Sequence, residues 1–107
     1  MKIFQLFFIM LSVNIAIADP LVTNAKITGI GNTPDGTESF FVTTSGGTGP
    51  CATGVIVFPE SISSQSKFNR AYSTALTAYT TGNERVNIET LTAGETNCRM
   101  ASFIYLR

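Results

Sequence analysis

Cys51 and Cys98 are the only cysteines of this chain. Two cysteines permit one intramolecular pairing. Closing a loop of that length stabilises a fold by about 4 kcal/mol in the chain-entropy account. A domain of this size is stable by about 4–13 kcal/mol altogether, so one cross-link would constrain the fold more than any other single feature. Whether it forms depends on the redox compartment, and the N-terminus speaks to that. Lys2 is a short basic start. Residues 3–17 are an apolar run interrupted only by Gln5, Ser12 and Asn14, and Ala16-Ile17-Ala18 is a small-x-small cleavage pattern followed by Asp19-Pro20. This is the layout of a secretory signal peptide. Residues 1–18 are therefore expected to be removed between Ala18 and Asp19, leaving one mature domain over 19–107.

The apolar run falls short of the ~20 residues a membrane-spanning helix needs. No later stretch approaches that length, so no membrane span is expected in the mature chain. Its predicted location is secreted or periplasmic, where Cys51 and Cys98 would oxidise to a structural disulfide. The functional alternatives for the pair are a redox dithiol, which wants C-x-x-C, and a zinc site, which wants about four ligands. Neither pattern is present.

Hydrophobic periodicity predicts five strands and one helix. Residues 21–30 alternate, with Ala25 and Ile27 on one face and Lys26 and Thr28 on the other. Residues 31–36 (Gly-Asn-Thr-Pro-Asp-Gly) are turn chemistry. Residues 38–44 carry aromatic and β-branched side chains and form a second strand. Residues 45–50 (Ser-Gly-Gly-Thr-Gly-Pro) read as a flexible connection. Residues 53–58 form a third strand. Its run Val55-Ile56-Val57-Phe58 is apolar on both faces, as in a central, covered strand.

From Lys67 the period becomes 3.6. Phe68, Ala71, Tyr72, Ala75, Leu76 and Tyr79 share one helix face, and Gly82 is a natural stop. A lone helix of that length is marginal in water, so the stripe is expected to bury its large side chains on a sheet. Residues 85–90 alternate, Val86 and Ile88 against Asn87 and Glu89, as in a half-exposed fourth strand. Residues 92–97 form a turn, and 98–106 a last strand. The expected fold class is α+β, mostly β. About five antiparallel strands form a curved sheet or small OB-like barrel, with one amphipathic helix between strands 3 and 4 and one disulfide.

Composition narrows the chemistry. The chain has 7 Lys+Arg, 7 Asp+Glu and no His. Histidine-dependent catalysis is excluded. With no excess of cations to displace counterions from phosphates, a nucleic-acid partner is not expected. Ser and Thr are abundant, but nucleophilic use needs a base within reach, and neither Lys26 nor Lys67 sits in a motif that supplies one. Glu84 and Glu89 are five positions apart along a strand, hence on opposite faces. Asp35, Glu38, Glu60 and Glu95 fall in or beside turns, where solvated charge is the ordinary role. The Gly-rich stretch 45–50 lacks the G-K-[ST] ending of a phosphate loop and leads into a strand, not a helix. Tyr72 and Tyr79 could stack on a ligand, but they fit the helix stripe. No catalytic residue, metal ligand or cofactor is assigned.

Three segments nevertheless carry a likeness. Ala78-Tyr79-Thr80-Thr81, the strand over 86–91, and Cys98 with the apolar run over 101–106 resemble the B subunits of bacterial multi-subunit toxins of the cholera-toxin and subtilase-cytotoxin types. The layout also resembles small exported bacterial proteins with no assigned role. The toxin resemblance implies an oligosaccharide-binding-fold barrel, glycan binding and a homo-oligomeric ring. It carries over the fold class only. Here the first cysteine opens the third strand, not the mature N-terminus, and Arg99 and Met100 follow Cys98 where the cholera type has a sugar-stacking Trp. The expected role is a non-enzymatic binding domain for a glycan, or a structural or inhibitory partner of another exported protein. Leu21, Val22, Tyr105 and Leu106 are the candidate ring contacts, with simple core packing as the alternative, and no ligand-binding residue is named. N-terminal sequencing of the exported protein should begin Asp19-Pro20-Leu21; a mature chain retaining Met1 would contradict cleavage after Ala18.

Overall fold

The computed structural model describes residues 19–34, 38–91 and 94–107. The expected leader 1–18, with Ala18 on one side of the cleavage bond, lies outside the described residues, as do parts of the turns at 35–37 and 92–93. The elements are β1 (Asp19–Asn32), β2 (Ser39–Ser45), β3 (Val55–Pro59), α1 (Gln65–Thr81), β4 (Val86–Thr90) and β5 (Phe103–Leu106), with a 3₁₀ turn at Glu60–Ile62. The five strands form one sheet in the order β3-β2-β1-β4-β5, and every ladder is antiparallel. The fold class is therefore α+β, mostly β, with the helix between the third and fourth strands.

β1 organises the sheet. Its second half pairs with β2 and its first half with β4, and the register slips between Ile27 and Gly29, Pro20 and Val22, and Val22 and Ala25. Each slip bends the strand and adds twist, so a 14-residue strand curves and serves two neighbours. Asn24 takes a positive φ of 56° at the last slip, a conformation that Asn tolerates. Its N–H donates to Oδ1 of Asn87 at 3.3 Å, and Asn87 Nδ2 donates to the carbonyl of Arg85. Asn87 is consequently buried on β4, not exposed. The expectation of a half-exposed fourth strand is corrected in this way: β4 lies between β1 and β5, and its polar side chain mends the break in β1.

The third strand is corrected in the opposite sense. β3 is at the edge of the sheet, although Ile56, Val57 and Phe58 are buried. Its free edge is covered by the chain after Cys98. Val57 N–H donates to the Cys98 carbonyl at 2.8 Å, and Ala101 N–H donates to the Val57 carbonyl at 3.1 Å. The next residue, Ser102, donates its N–H to Glu89 on β4 at 3.0 Å. Successive N–H groups of an extended chain point to opposite sides, so residue 101 bonds the β3 edge and residue 102 bonds β4, where β5 then begins. The expected last strand over 98–106 is thereby divided. Only Phe103–Leu106 pairs in a ladder, the residues before it run along β3, and the five strands form one open curved sheet, not a closed barrel.

The Cys51–Cys98 disulfide anchors that return, with Sγ atoms 2.06 Å apart and a sequence separation of 47. Cys51 itself is fully buried. The stretch before it is not a free linker. Thr23 and Thr48 exchange both backbone hydrogen bonds, at 2.8 and 3.1 Å, and Cys51 N–H donates to the Leu21 carbonyl. Residues 47–51 thus take over the edge of β1 where β2 has ended. Glycine makes this approach possible: a Cβ on Gly49, at φ +118°, would lie 2.6 Å from the Leu21 carbonyl oxygen, and one on Gly47 would lie 2.7 Å from the Ala25 Cβ.

The helix begins at an Ser64 N-cap that accepts from Lys67 N–H and ends at Gly82 in the left-handed region. Its buried line is Ala71, Ala75 and Ala78, not the large residues of the stripe. Phe68 is half-buried, and Tyr72, Leu76 and Tyr79 are exposed by 38%, 40% and 44%. The helix packs on β1 and β5, and alanine lets its backbone come close while Leu76 and Tyr79 are turned outward and Phe68 and Tyr72 reach Phe40 at the rim of the core. The core is built instead from the sheet: Leu21, Val22, Ile27, Phe40, Val42, Ile56, Phe58, Val86 and Ile88. Phe40 stacks on Phe58 with centroids 4.6 Å apart and meets the Tyr72 ring edge-on at 5.1 Å.

Replacing both Cys51 and Cys98 by Ser should lower unfolding stability by about 4 kcal/mol, read from the urea midpoint under non-reducing conditions. Ala75→Leu should cost about 1–3 kcal/mol by overpacking the helix–sheet contact, while Leu76→Ala, one residue away, should stay within about 1 kcal/mol; equal losses at the two positions would contradict the alanine seam.

Candidate functional site

The inner face of β2 and β3 carries Phe40, Val42, Ile56 and Phe58. Alternation along the strands places Phe41, Val55 and Val57 on the outer face, where Phe41 pairs with Val57 across the ladder and Thr43 with Val55. Phe41 also lies opposite Gly31 of β1. A Cβ on Gly31 would be 3.0 Å from the Phe41 ring, so the missing side chain leaves the ring space to lie over the β1 backbone. These residues floor a groove of about 340 Å³ that is closed by Thr33 and Pro34 from the β1–β2 turn and by Arg99.

Each wall has a local cause. Thr33 is held by hydrogen bonds from its backbone N–H to the Ser39 carbonyl and between its hydroxyl and that of Ser39 at 2.7 Å. Arg99 follows directly on the cystine, and its N–H donates to Asn97 Oδ1 at 2.9 Å. The disulfide and the two backbone bonds to Val57 therefore fix where this guanidinium departs from the chain. Among the described residues no carboxylate lines the groove. Its lining combines an aromatic ring, two aliphatic side chains and an arginine, a chemistry suited to a molecule with an apolar face and oxygen-rich edges.

Of the carboxylates weighed in the sequence, Asp35 lies outside the described residues, and the others are placed elsewhere. Glu89 accepts from the Tyr105 hydroxyl at 3.1 Å. Glu95 accepts from Asn97 N–H at 2.9 Å, and Asp19 accepts from Gly94 N–H. Glu84 shares a small polar recess with Lys26 and Asn24. Glu38 and Glu60 come together at a recess of about 220 Å³ beside Ser39, Pro59 and Ser61, a pairing across the β2–β3 ends that their spacing in the chain did not announce. Among the described residues, no three His, Cys, Asp or Glu gather as metal ligands would, and no helix is long and apolar enough to cross a membrane.

Of the residues singled out from sequence, Cys51 and Cys98 are joined, and Asp19 opens β1. Leu21 and Val22 are fully buried core residues, so they are not available as ring contacts, while Tyr105 and Leu106 are half-buried. Phe41 and Arg99 were not distinguished by sequence reasoning. Alternation placed Phe41 on one face of a strand without saying that Gly31 would lie beneath it. Arg99 was visible only as a departure from the toxin pattern.

The model of a family of unknown function, DUF5992, matches the chain over residues 1–107. The chain belongs to this family. No curated protein and no solved structure matches it. A DUF5992 chain thus brings no assigned ligand, and a functional reading starts from the groove itself.

Proposed function

We propose that this DUF5992 protein is a small exported, non-enzymatic binding domain whose ligand is a glycan, taken up in the groove over Phe41. The observation that carries the reading is that Phe41, itself half-buried, and Arg99 line one groove together with Val55 and Val57. A pyranose presents an apolar face of C–H groups that stacks on an aromatic ring, and its hydroxyls accept from donors around the rim. The outward valines Val55 and Val57 extend the apolar floor by one ladder step on the adjacent strand. Export would follow from the leader-like N-terminus, and the disulfide suits a protein that must keep such a surface outside the cytosol.

A second reading is favoured by a different observation. Tyr72, Leu76 and Tyr79 are exposed at helix spacing i, i+4, i+7 on α1, which is the arrangement by which a helix face meets a partner protein. A structural or inhibitory partner of another exported protein would use that stripe and leave the groove idle.

The oxidised protein, applied to a glycan array, should retain at least one oligosaccharide class. Phe41→Ala should weaken that retention about tenfold with the circular dichroism unchanged, while Leu76→Lys should leave it intact. An empty array with a folded protein would remove the glycan reading, and retention sensitive to Leu76 instead of Phe41 would move the site to the helix.

A further inference from the structure

A second cleft, of about 470 Å³, opens between the N-terminal half of α1 and the β5 edge. It shares no lining residue with the groove over Phe41. Its floor is apolar and recessed: Ala71 and Ile104 are buried, and Phe103 is half-buried beside them. Lys67 and Arg70, one helical turn apart and both exposed, stand on its helix wall. Among the described residues no carboxylate lines it. The cleft exists because the helix presents alanine to the sheet at position 71 while its neighbours at 67 and 70 are long. Space is left beside the two cationic side chains that none of the described residues fills.

We propose that this cleft binds a small amphiphilic carboxylate, with its apolar body on Ala71, Phe103 and Ile104 and its anionic head between Lys67 and Arg70. Charge complementarity selects the head: two cations with no acidic neighbour in the lining attract an anion, and the Arg fork matches both oxygens of a carboxylate. The recessed floor selects the body. An inorganic anion would leave the apolar atoms wet, and an uncharged hydrocarbon would leave the cations without a partner. Because those apolar atoms lie below a rim of exposed cations, the cleft takes a single molecule and not the surface of a bilayer. A volume of this size is ordinary for a small-molecule site.

The test is a titration of the full oxidised protein with decanoate, followed by ¹⁵N–¹H NMR, with 1-decanol and acetate as separate probes. Decanoate should shift the amides of Lys67, Ala71, Thr74, Phe103 and Ile104, and should bind about tenfold tighter than either probe that lacks one half of its chemistry. The double variant Lys67→Gln, Arg70→Gln alters two exposed side chains. It should weaken decanoate about tenfold or more, leave the weak response to decanol as it was, and remove the dependence of decanoate binding on salt. The proposal is overturned by decanoate binding no tighter than decanol, by shifts confined to residues outside the cleft, by a folded double variant that binds decanoate unchanged, or by sedimentation with phosphatidylglycerol vesicles without any response to decanoate.

Discussion

The free edge of β3 is the constraint on which the rest of the molecule depends. An edge strand exposes backbone N–H and carbonyl groups that need partners, and this one also carries buried apolar side chains. The chain meets both demands by bringing residues 98–101 back alongside Val57, held by the Cys51–Cys98 bond at the point of return. From there a single step to Ser102 passes to the β4 side and leads into β5. One short segment therefore bonds the β3 edge and β4 across the curved sheet.

Small residues do much of the remaining work by their absence of bulk. Gly47 and Gly49 let the connection lie against β1, Gly31 leaves room for the Phe41 ring, and the alanine line of α1 sets the helix close to the sheet. Close approach has a consequence on the outside. Where backbones come together through small residues, the large side chains beside them are directed to the surface. Phe41 on the outer sheet face and Tyr72, Leu76 and Tyr79 on the helix are in that position. The surfaces available for recognition are thus by-products of how the core is closed.

Both clefts depend on the same returning segment. Arg99 closes the groove over Phe41, and Phe103 and Ile104 floor the cleft beside Lys67 and Arg70. A fold stapled at Cys98 holds the two in fixed relation to the sheet.

Local patterns in the sequence determined the helix ending at Gly82, the number of strands and the single possible disulfide, because each rests on neighbours in the chain or on counting, whereas Gly31, read as a turn residue, lies in β1. Sheet position was not determined in this way. The run Val55-Ile56-Val57-Phe58 reads as central yet lies at an edge, and Asn87 reads as exposed yet is buried, since apolar pattern reports how much a residue is covered and not by what. The helix stripe was right only in part: Ala71 and Ala75 turn inward with Ala78, which it did not include, while Leu76 and Tyr79 are exposed. Only the tertiary structure decided that alanine makes the contact, that the segment after Cys98 covers β3, and that Phe41 and Arg99 line one groove, because each brings together residues far apart in the chain whose partners no local period encodes.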